Sequence, residues 1–567
     1  MAERHPIQTP ETLETHELAW LPPALSLRNR LRLPTYDVAV WAVVLIGIVL
    51  RIAQYLYNRS LWMDESFLAL NVIDKPFGAL FGQLSFNQAA PPGFLLVERV
   101  DVALFGKSEY ALRLFPLLCG ISSIFLFKRV TNVLLGRGAA LIALALFSLS
   151  DGLIYYASEA KQYSTDVAIT LLIAVAGLDL SSRRPSRRRA IVWGLIGSAA
   201  VWFSHAAAFA VGAVLVALLA GDIARRRWDI VKPMAAVLGI WLASLGVALA
   251  YERSTASHLL NGFGGPKASS TVFPTGTTFF RNAPGGLADA LGIPTTGPLH
   301  DARYVFWAIG FVGAAALARR TVRVFAFVAA PAAGVFVAAA LGAYPVLTRT
   351  IVFLLPLVVV LVSEGVVALV GALRRWRTVA TLGLVAAFLA IPAATAGRHL
   401  VAPRQRQEMK PILRYLVSQW QPGDSLLVFY QAQYALRYYI DCDCLLSSRI
   451  RRKVFAPLVF PDRLGLELYA PALLSGRRHI LIAQRQDSLR DYLEKMTPLL
   501  RRKRVWVLVT ATDSVQTSLL RYLSCTGQRD EYTRRNGADY ATVALYRYDL
   551  SSWRSLSDGA CGARFGL

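Results

Sequence analysis

Charge is scarce in these 567 residues. Asp, Glu, Lys and Arg together make up 17%, against roughly 25% in a soluble domain. Hydrophobic residues reach 55%, so a string of soluble domains is excluded and a chain that crosses a membrane many times is expected. Acidic residues are the rarer sign, 36 against 61 Lys and Arg, for a net charge of +25. Such an excess can mark a nucleic-acid surface, but here the basic residues fall in short runs between apolar segments. Arg183, Arg184, Arg187, Arg188 and Arg189 form one such run. That is the positive-inside pattern of cytoplasmic turns, and nucleic acid is excluded as a partner. Internal repeats are absent, as are low-complexity tracts beyond the Ser/Arg run at 181–189. A cleavable signal sequence is not expected either: the first apolar run begins near Val38 behind a polar, Pro-containing arm and reads as an uncleaved span.

Cysteine is also rare, with five in the chain. Cys119 falls within an apolar run, while Cys442, Cys444, Cys525 and Cys561 all lie in the tail. An even number confined to the tail suggests up to two bridges in an oxidising compartment, joining Cys442 and Cys444 to the later pair. The alternative is four unpaired thiols in a reduced domain.

What is abundant is apolar runs of spanning length, which requires about 20 residues. They lie at 38–57, 110–127, 138–156, 163–180, 234–251, 304–318, 324–343, 350–373 and 378–396. Ala190 to Ala220 is too long for one ordinary helix and is broken at Ser204 and His205, so it is either one tilted helix or two short ones. Two helices put the runs Lys128/Arg129/Arg137, Arg183 to Arg189, Arg225 to Arg227, Arg319/Arg320/Arg323 and Arg374/Arg375/Arg377 on one side with the N-terminus. The expected fold is therefore a polytopic α-helical membrane protein of about 11 spans. Its parts are an N-terminal arm (1–37), a transmembrane domain (38–397) with outer loops at 58–109 and 252–303, and a C-terminal extracytoplasmic domain (398–567). In that last part, strand-like runs at 426–429, 480–483, 505–509 and 542–546 alternate with amphipathic stretches at 409–420 and 489–500, a βα rhythm.

Carboxylates near a bilayer are expensive and usually functional. Asp64 and Glu65 follow the first span, Glu159 follows the third, and Asp151 and Asp166 flank it. Adjacent acids in a low-dielectric setting can supply a proton acceptor or a metal ligand. Alternatively, Asp64 caps the helix that follows it and Glu159 pairs locally with Lys161. No dinucleotide-binding glycine fingerprint follows a strand, and Gly106-Lys107-Ser108 is not the end of a phosphate-binding loop, because Asp101 occupies the required glycine position. Aromatics crowd the same loops, among them Trp62, Phe67, Phe86, Phe94, Tyr155, Tyr156 and Tyr163. They suit an interfacial belt and a sugar or prenyl groove equally well.

Four strings in order carry a resemblance: Trp62-Met63-Asp64-Glu65; Ala89-Ala90-Pro91-Pro92-Gly93-Phe94-Leu95-Leu96; Leu104 to Leu114, reading Leu-Phe-Gly-Lys-Ser-Glu-Tyr-Ala-Leu-Arg-Leu; and Tyr155 to Tyr163, reading Tyr-Tyr-Ala-Ser-Glu-Ala-Lys-Gln-Tyr. With Ser204-His205 and the Tyr344 to Arg349 segment, they resemble the membrane glycosyltransferases of the GT-C type. More narrowly, they resemble family 39, the protein O-mannosyltransferase and aminoarabinose-transferase relatives. The likeness covers roughly residues 38 to 400.

The resemblance implies an inverting transferase that moves a sugar from a polyprenyl-phosphate donor to a glycan, glycolipid or protein acceptor at the outer membrane face. Asp64 would be the general base and Glu65 would orient or polarise the acceptor. Glu159 would bind the acceptor or a divalent cation, with His205 as its companion if a metal is used. Lys161 and Arg349 would hold the donor phosphate through charge-assisted bonds, although either can instead anchor the chain at the interface. Gln162, Tyr163 and His205 would line the substrate site, although a histidine at a helix break can instead be a hydrogen-bonded structural residue. Asn87-Gln88-Ala89-Ala90 departs from the family in lacking an acid or histidine before Pro91-Pro92, which counts against a metal there. The Ala/Arg-rich composition suggests a bacterial inner-membrane protein, with the N-terminus cytoplasmic and the tail periplasmic. Two other classes compete: a lipid or solute transporter, which would place its ionisable residues near the membrane midplane in matched halves, and an assembly or receptor protein using the tail as a binding module.

Overall fold

The computed structural model describes residues 34–182, 186–256, 277–293, 301–372, 377–442, 444–445, 454–455, 480–482, 488–497, 499, 501–510, 514–536 and 542–553. The N-terminal arm up to residue 33, Arg183, Arg184, Arg374, Arg375, most of the 252–303 loop and Cys561 lie outside them.

Every apolar run proves helical. In chain order the helices are α1 (Pro34–Leu56), α2 (Met63–Asp74), α3 (Pro92–Phe105), α4 (Glu109–Leu134), α5 (Arg137–Leu149), α6 (Asp151–Tyr156), α7 (Tyr163–Ser182), α8 (Arg187–Ala200), α9 (Ala207–Ala213), α10 (Ala220–Ala224) and α11 (Trp228–Ala256). A π-helical turn, Val214–Leu219, joins α9 to α10. Then come α12 (Thr277–Ala290), α13 (Ala302–Arg320), α14 (Val322–Ala340), α15 (Thr348–Ile351), α16 (Leu355–Ala372) and α17 (Arg377–Val401). Among the described residues, seven helices are long and apolar enough to cross a membrane. This is a polytopic membrane protein. The Ala190–Ala220 stretch is two helices, with a turn at 201–206 between α8 and α9.

Small residues set how closely the helices approach. A Cβ on Gly313 of α13 would fall 1.8 Å from the Leu361 carbonyl of α16, and one on Gly365 would fall 2.0 Å from the Ile309 carbonyl. Only glycine allows that contact, the usual device where no hydrophobic effect drives helices together in lipid. The expected 138–156 span is broken at Ser150, which caps α6 by accepting from the Leu153 amide. Buried Arg51 of α1 answers the break by donating to the Phe147 and Ser148 carbonyls at the end of α5.

Beyond α17 lie α18 (Met409–Gln419), β1 (Ser425–Val428), α19 (Ala432–Asp441), β2 (Ile480–Ile482), α20 (Leu489–Met496), β3 (Val505–Thr510), α21 (Ser514–Thr526), β4 (Gln528–Asn536) and β5 (Thr542–Asp549). The strands form one sheet in the order β2-β1-β3-β5-β4, parallel between β1 and its two neighbours and antiparallel beyond β3. This is the C-terminal α/β domain. The boundary expected at residue 398 falls inside α17.

The domain is not free-standing, because it shares a hydrophobic core with the first loop. Phe67 and Phe86 from that loop stack at 5.6 Å, and both meet Tyr434 of α19 edge-on. Polar ties reinforce the contact: Arg437 pairs with Asp74 at 2.9 Å, and the Tyr439 hydroxyl donates to Glu109 while accepting from the Leu61 amide. The cysteine pairing differs from expectation. Cys442 is bonded to Cys444, two residues away, so the predicted bridging of both to the later pair does not occur. Cys525 is disulfide-bonded as well, and Cys119 is a free thiol.

Candidate active site

The loop after α1 and the loop before α7 meet at one end of the bundle, and Glu65 is the bolt. It sits in the first turn of α2, fully buried, and its oxygens accept from Arg59 at 2.6 Å, from Arg113 at 3.0 Å and from the Ala160 amide at 2.9 Å. Arg59 in turn donates to the Ser158 carbonyl. The two guanidiniums overcome the upward push of burial and hold the Glu65 carboxyl below its ordinary range. Glu65 therefore ties 58–66 to 157–161 through these bonds. Gly120 of α4 lets the second loop lie close, since a Cβ there would fall 2.6 Å from that of Ala157.

Asp64 points elsewhere, because consecutive residues on a helix do not share a face. Its Oδ1 lies 3.3 Å from Lys161 Nζ and its Oδ2 lies 3.7 Å from Arg349, and 15% of the side chain remains exposed. Burial pushes its pKa up, but Lys161 and Arg349 more than offset this and hold it below the usual carboxylate range. Lys161 also donates to Gln88 Oε1 at 2.6 Å. Burial lowers its pKa, and the like charge of Arg349 adds to that. Arg349 is set by a tight turn in which the Thr350 hydroxyl accepts from the Leu347 amide and the Tyr344 hydroxyl donates to the Thr350 carbonyl.

Glu159 is fully buried. Its Oε1 accepts from the Trp62 indole N–H at 2.7 Å and lies 3.7 Å from Arg406, while Oε2 is buried with no hydrogen-bond partner among the described residues. Burial raises its pKa, Arg406 pulls it down, and the nearby Glu65 charge pushes it up again. The local Glu159–Lys161 pairing considered from spacing is replaced by Lys161–Asp64. Gln162 Oε1 is another buried acceptor without a hydrogen-bond partner among the described residues. Tyr163 is buried at the start of α7, its ring 5.3 Å from that of Tyr156.

His205 is a half-buried residue of the α8–α9 turn. The adjoining Ser204 donates to Asp166 at 2.7 Å, which explains that acid as a tie to the turn. Asp151 is likewise accounted for by ion pairs with His399 and Arg404. Among the described residues, no group of three or more His, Cys, Asp or Glu is placed to hold a metal. Asp64 and Glu159 stand among Lys161, Arg349 and Arg406, a donor set that repels a divalent cation and attracts an anion. The residues present do not fit a metal.

Arg404 and Arg406 were missed from the sequence, where a charged run just past the last span reads as a solvated linker. Both guanidiniums lie over the Tyr155 ring, at 5.1 and 5.3 Å. Together the residues offer a half-buried carboxylate, a second carboxyl with an orphan oxygen, and three cations around them.

No family model matches the chain, and no curated protein matches it. Among solved structures it is similar to ArnT from Cupriavidus metallidurans in the apo state, at 13% identity over 90% of this chain and 98% of that one, with a TM-score of 0.48. The same protein bound to undecaprenyl phosphate gives 14% identity, 89% and 97% coverage, and 0.47. The oligosaccharyltransferase of Archaeoglobus fulgidus in the apo form gives 11% identity over 70% of this chain and 63% of that one, with a TM-score of 0.41.

Proposed function

We propose that the protein is an inverting membrane glycosyltransferase that uses a polyprenyl-phosphate sugar as donor. The observation that carries this reading is Asp64 standing between Lys161 and Arg349. A base and two anion-binding cations at one point are what such a transfer needs, since the leaving group is already a phosphate. The acceptor oxygen attacks the anomeric carbon as the carbon–oxygen bond to phosphate breaks. Asp64 takes the hydroxyl proton, Lys161 and Arg349 receive the departing polyprenyl phosphate, and the Glu159 Oε2 acceptor binds a second group of the acceptor. Glu65 holds the two loops together.

Location supports the same reading. Lys161 precedes α7, and Arg187 to Arg189 follow its far end at the start of α8, so the 20 residues of α7 separate them by about 30 Å along the helix. With the Arg-rich turns cytoplasmic, the site and the C-terminal domain face the outer side, periplasmic in a bacterial inner membrane. The charges gather at one end of the bundle rather than at its midplane, which favours transfer over transport. The test supplies purified protein with polyprenyl-phosphate sugars and envelope-derived acceptors. Asp64→Asn is expected to reduce transfer by about 10²–10⁴-fold, and undiminished transfer removes Asp64 from the base role. Mass spectrometry of envelope glycans, glycolipids and proteins from cells with and without the protein identifies sugar and acceptor.

A further inference from the structure

We infer that the first outer loop carries a membrane-docking face, formed by α3 and the turn Phe77–Phe81, which sits in the outer leaflet among lipid acyl chains. The inference stands apart from the transferase reading and concerns a surface outside the candidate site.

α3 is built inside out. Its three ionisable residues, Glu98, Arg99 and Asp101, turn toward the protein: Glu98 and Asp101 are buried, and Arg99 donates to the Val72 and Ile73 carbonyls of α2. Outward it presents Val100, Leu104 and Phe105, the last two 70% and 60% exposed. A helix that faces water shows the reverse, with its apolar stripe on the core and its polar face outside. Apolar residues outside and acids inside suit a hydrocarbon surrounding, where an exposed carboxylate is expensive. Phe77 and Phe81, at the two ends of a short 3-10 turn, are exposed as well. The Arg99 guanidinium lies 5.7 Å from the Phe77 ring and so joins the turn to the helix.

The spans fix the height of this face. The hydroxyl of Tyr251, where the apolar part of α11 ends, donates to the Phe81 carbonyl. On the other side Tyr110, in the first turn of α4, donates to the Leu56 carbonyl at the end of α1 at 3.0 Å, while the Tyr55 hydroxyl donates to the Tyr110 carbonyl at 2.9 Å. Leu56 closes an exposed apolar stripe that runs up α1 through Leu45, Val49 and Ile52, the surface that a span turns to lipid. The outward face of α3 continues that surface, and the tyrosines at its margins are the residue type that marks the membrane interface. This continuity names acyl chains, rather than a second copy of the chain, as what covers the face. The loop that carries Asp64 is thereby held at the membrane surface.

The test places the full chain in vesicles of phosphatidylethanolamine and phosphatidylglycerol. In a Cys119→Ser background, which removes the free thiol, a nitroxide is attached at Phe81→Cys or at Leu104→Cys. Lys503→Cys, at an exposed position of the C-terminal domain, gives the aqueous reference. Collisions with oxygen, which concentrates in acyl chains, are expected to exceed those with a water-soluble nickel chelate at Phe81→Cys and Leu104→Cys, with the opposite order at Lys503→Cys. Chelate collisions that dominate at either of the first two sites overturn the docking face, because it then lies in water. Dipolar broadening of the Leu104→Cys label that disappears on dilution with unlabelled protein overturns it too, since a second copy then covers the face. The two sites lie on separate elements, so a substitution that fails to fold leaves the other to decide.

Discussion

Lys161 Nζ stands 3.3 Å from Asp64 Oδ1, so the proposed base is held by a cation that the proposed reaction requires elsewhere. A donor phosphate that draws on Lys161 and Arg349 removes part of the charge that keeps the Asp64 pKa low, and its own negative charge acts in the same direction. Asp64 becomes a better base once the donor is bound. The acid limb for kcat/KM of the donor reports the free enzyme, whereas that for kcat reports the bound complex. The expectation is that the kcat limb lies at higher pH than the kcat/KM limb, which falls below the usual carboxylate range. Coincident limbs would show that the phosphate does not compete for these cations.

Glu65 and Asp64 are adjacent in sequence and opposite in consequence. Removing the Glu65 charge leaves Arg59 and Arg113 buried without their anion, a change that typically costs about 3–5 kcal/mol. Glu65→Gln is therefore expected to lower the thermal unfolding midpoint strongly, whereas Asp64→Asn, at a partly exposed site, stays folded and loses turnover. A Glu65→Gln protein of unchanged midpoint would refute the fastening role.

The membrane-crossing character was legible because little besides a bilayer calls for apolar runs of that length, although seven helices among the described residues, against about 11 expected, are long and apolar enough to span; that Lys161 and Arg349 lie near Asp64 was legible because each sits at the end of such a run. The separate settings of Asp64 and Glu65 were not legible, since two neighbouring acids look like a pair in a string, whereas a helix turns them about 100° apart. Arg406 was invisible for a different reason. Its placement depends on a strap folding back on a loop more than 340 residues earlier, and nothing local distinguishes it from Arg404. β4, with the sequence Gln-Arg-Asp-Glu-Tyr-Thr-Arg-Arg-Asn, is an edge strand with no apolar alternation to betray it. The Cys442–Cys444 bridge closes a shorter loop than any pairing that spacing suggested.

Glu98 of α3 plays no part in the proposed reaction, yet it is 1% exposed and its Oε1 has no hydrogen-bond partner among the described residues. Burial pushes its pKa well above the ordinary carboxylate value, and the Asp101 and Glu65 charges push it further. The folded protein thus keeps this proton over a pH range in which the unfolded chain has released it. Below the unfolded pKa both states are protonated and the group imposes no penalty; as pH rises from there through the folded pKa, stability is lost. Glu98→Gln keeps the shape and removes the titration. Its thermal midpoint is expected to match that of the unmodified protein near pH 4 and to exceed it increasingly toward about pH 8. A gap that stays constant across that range would mean the carboxyl has a charged partner when the protein is folded, and would overturn its assignment as a buried neutral acid.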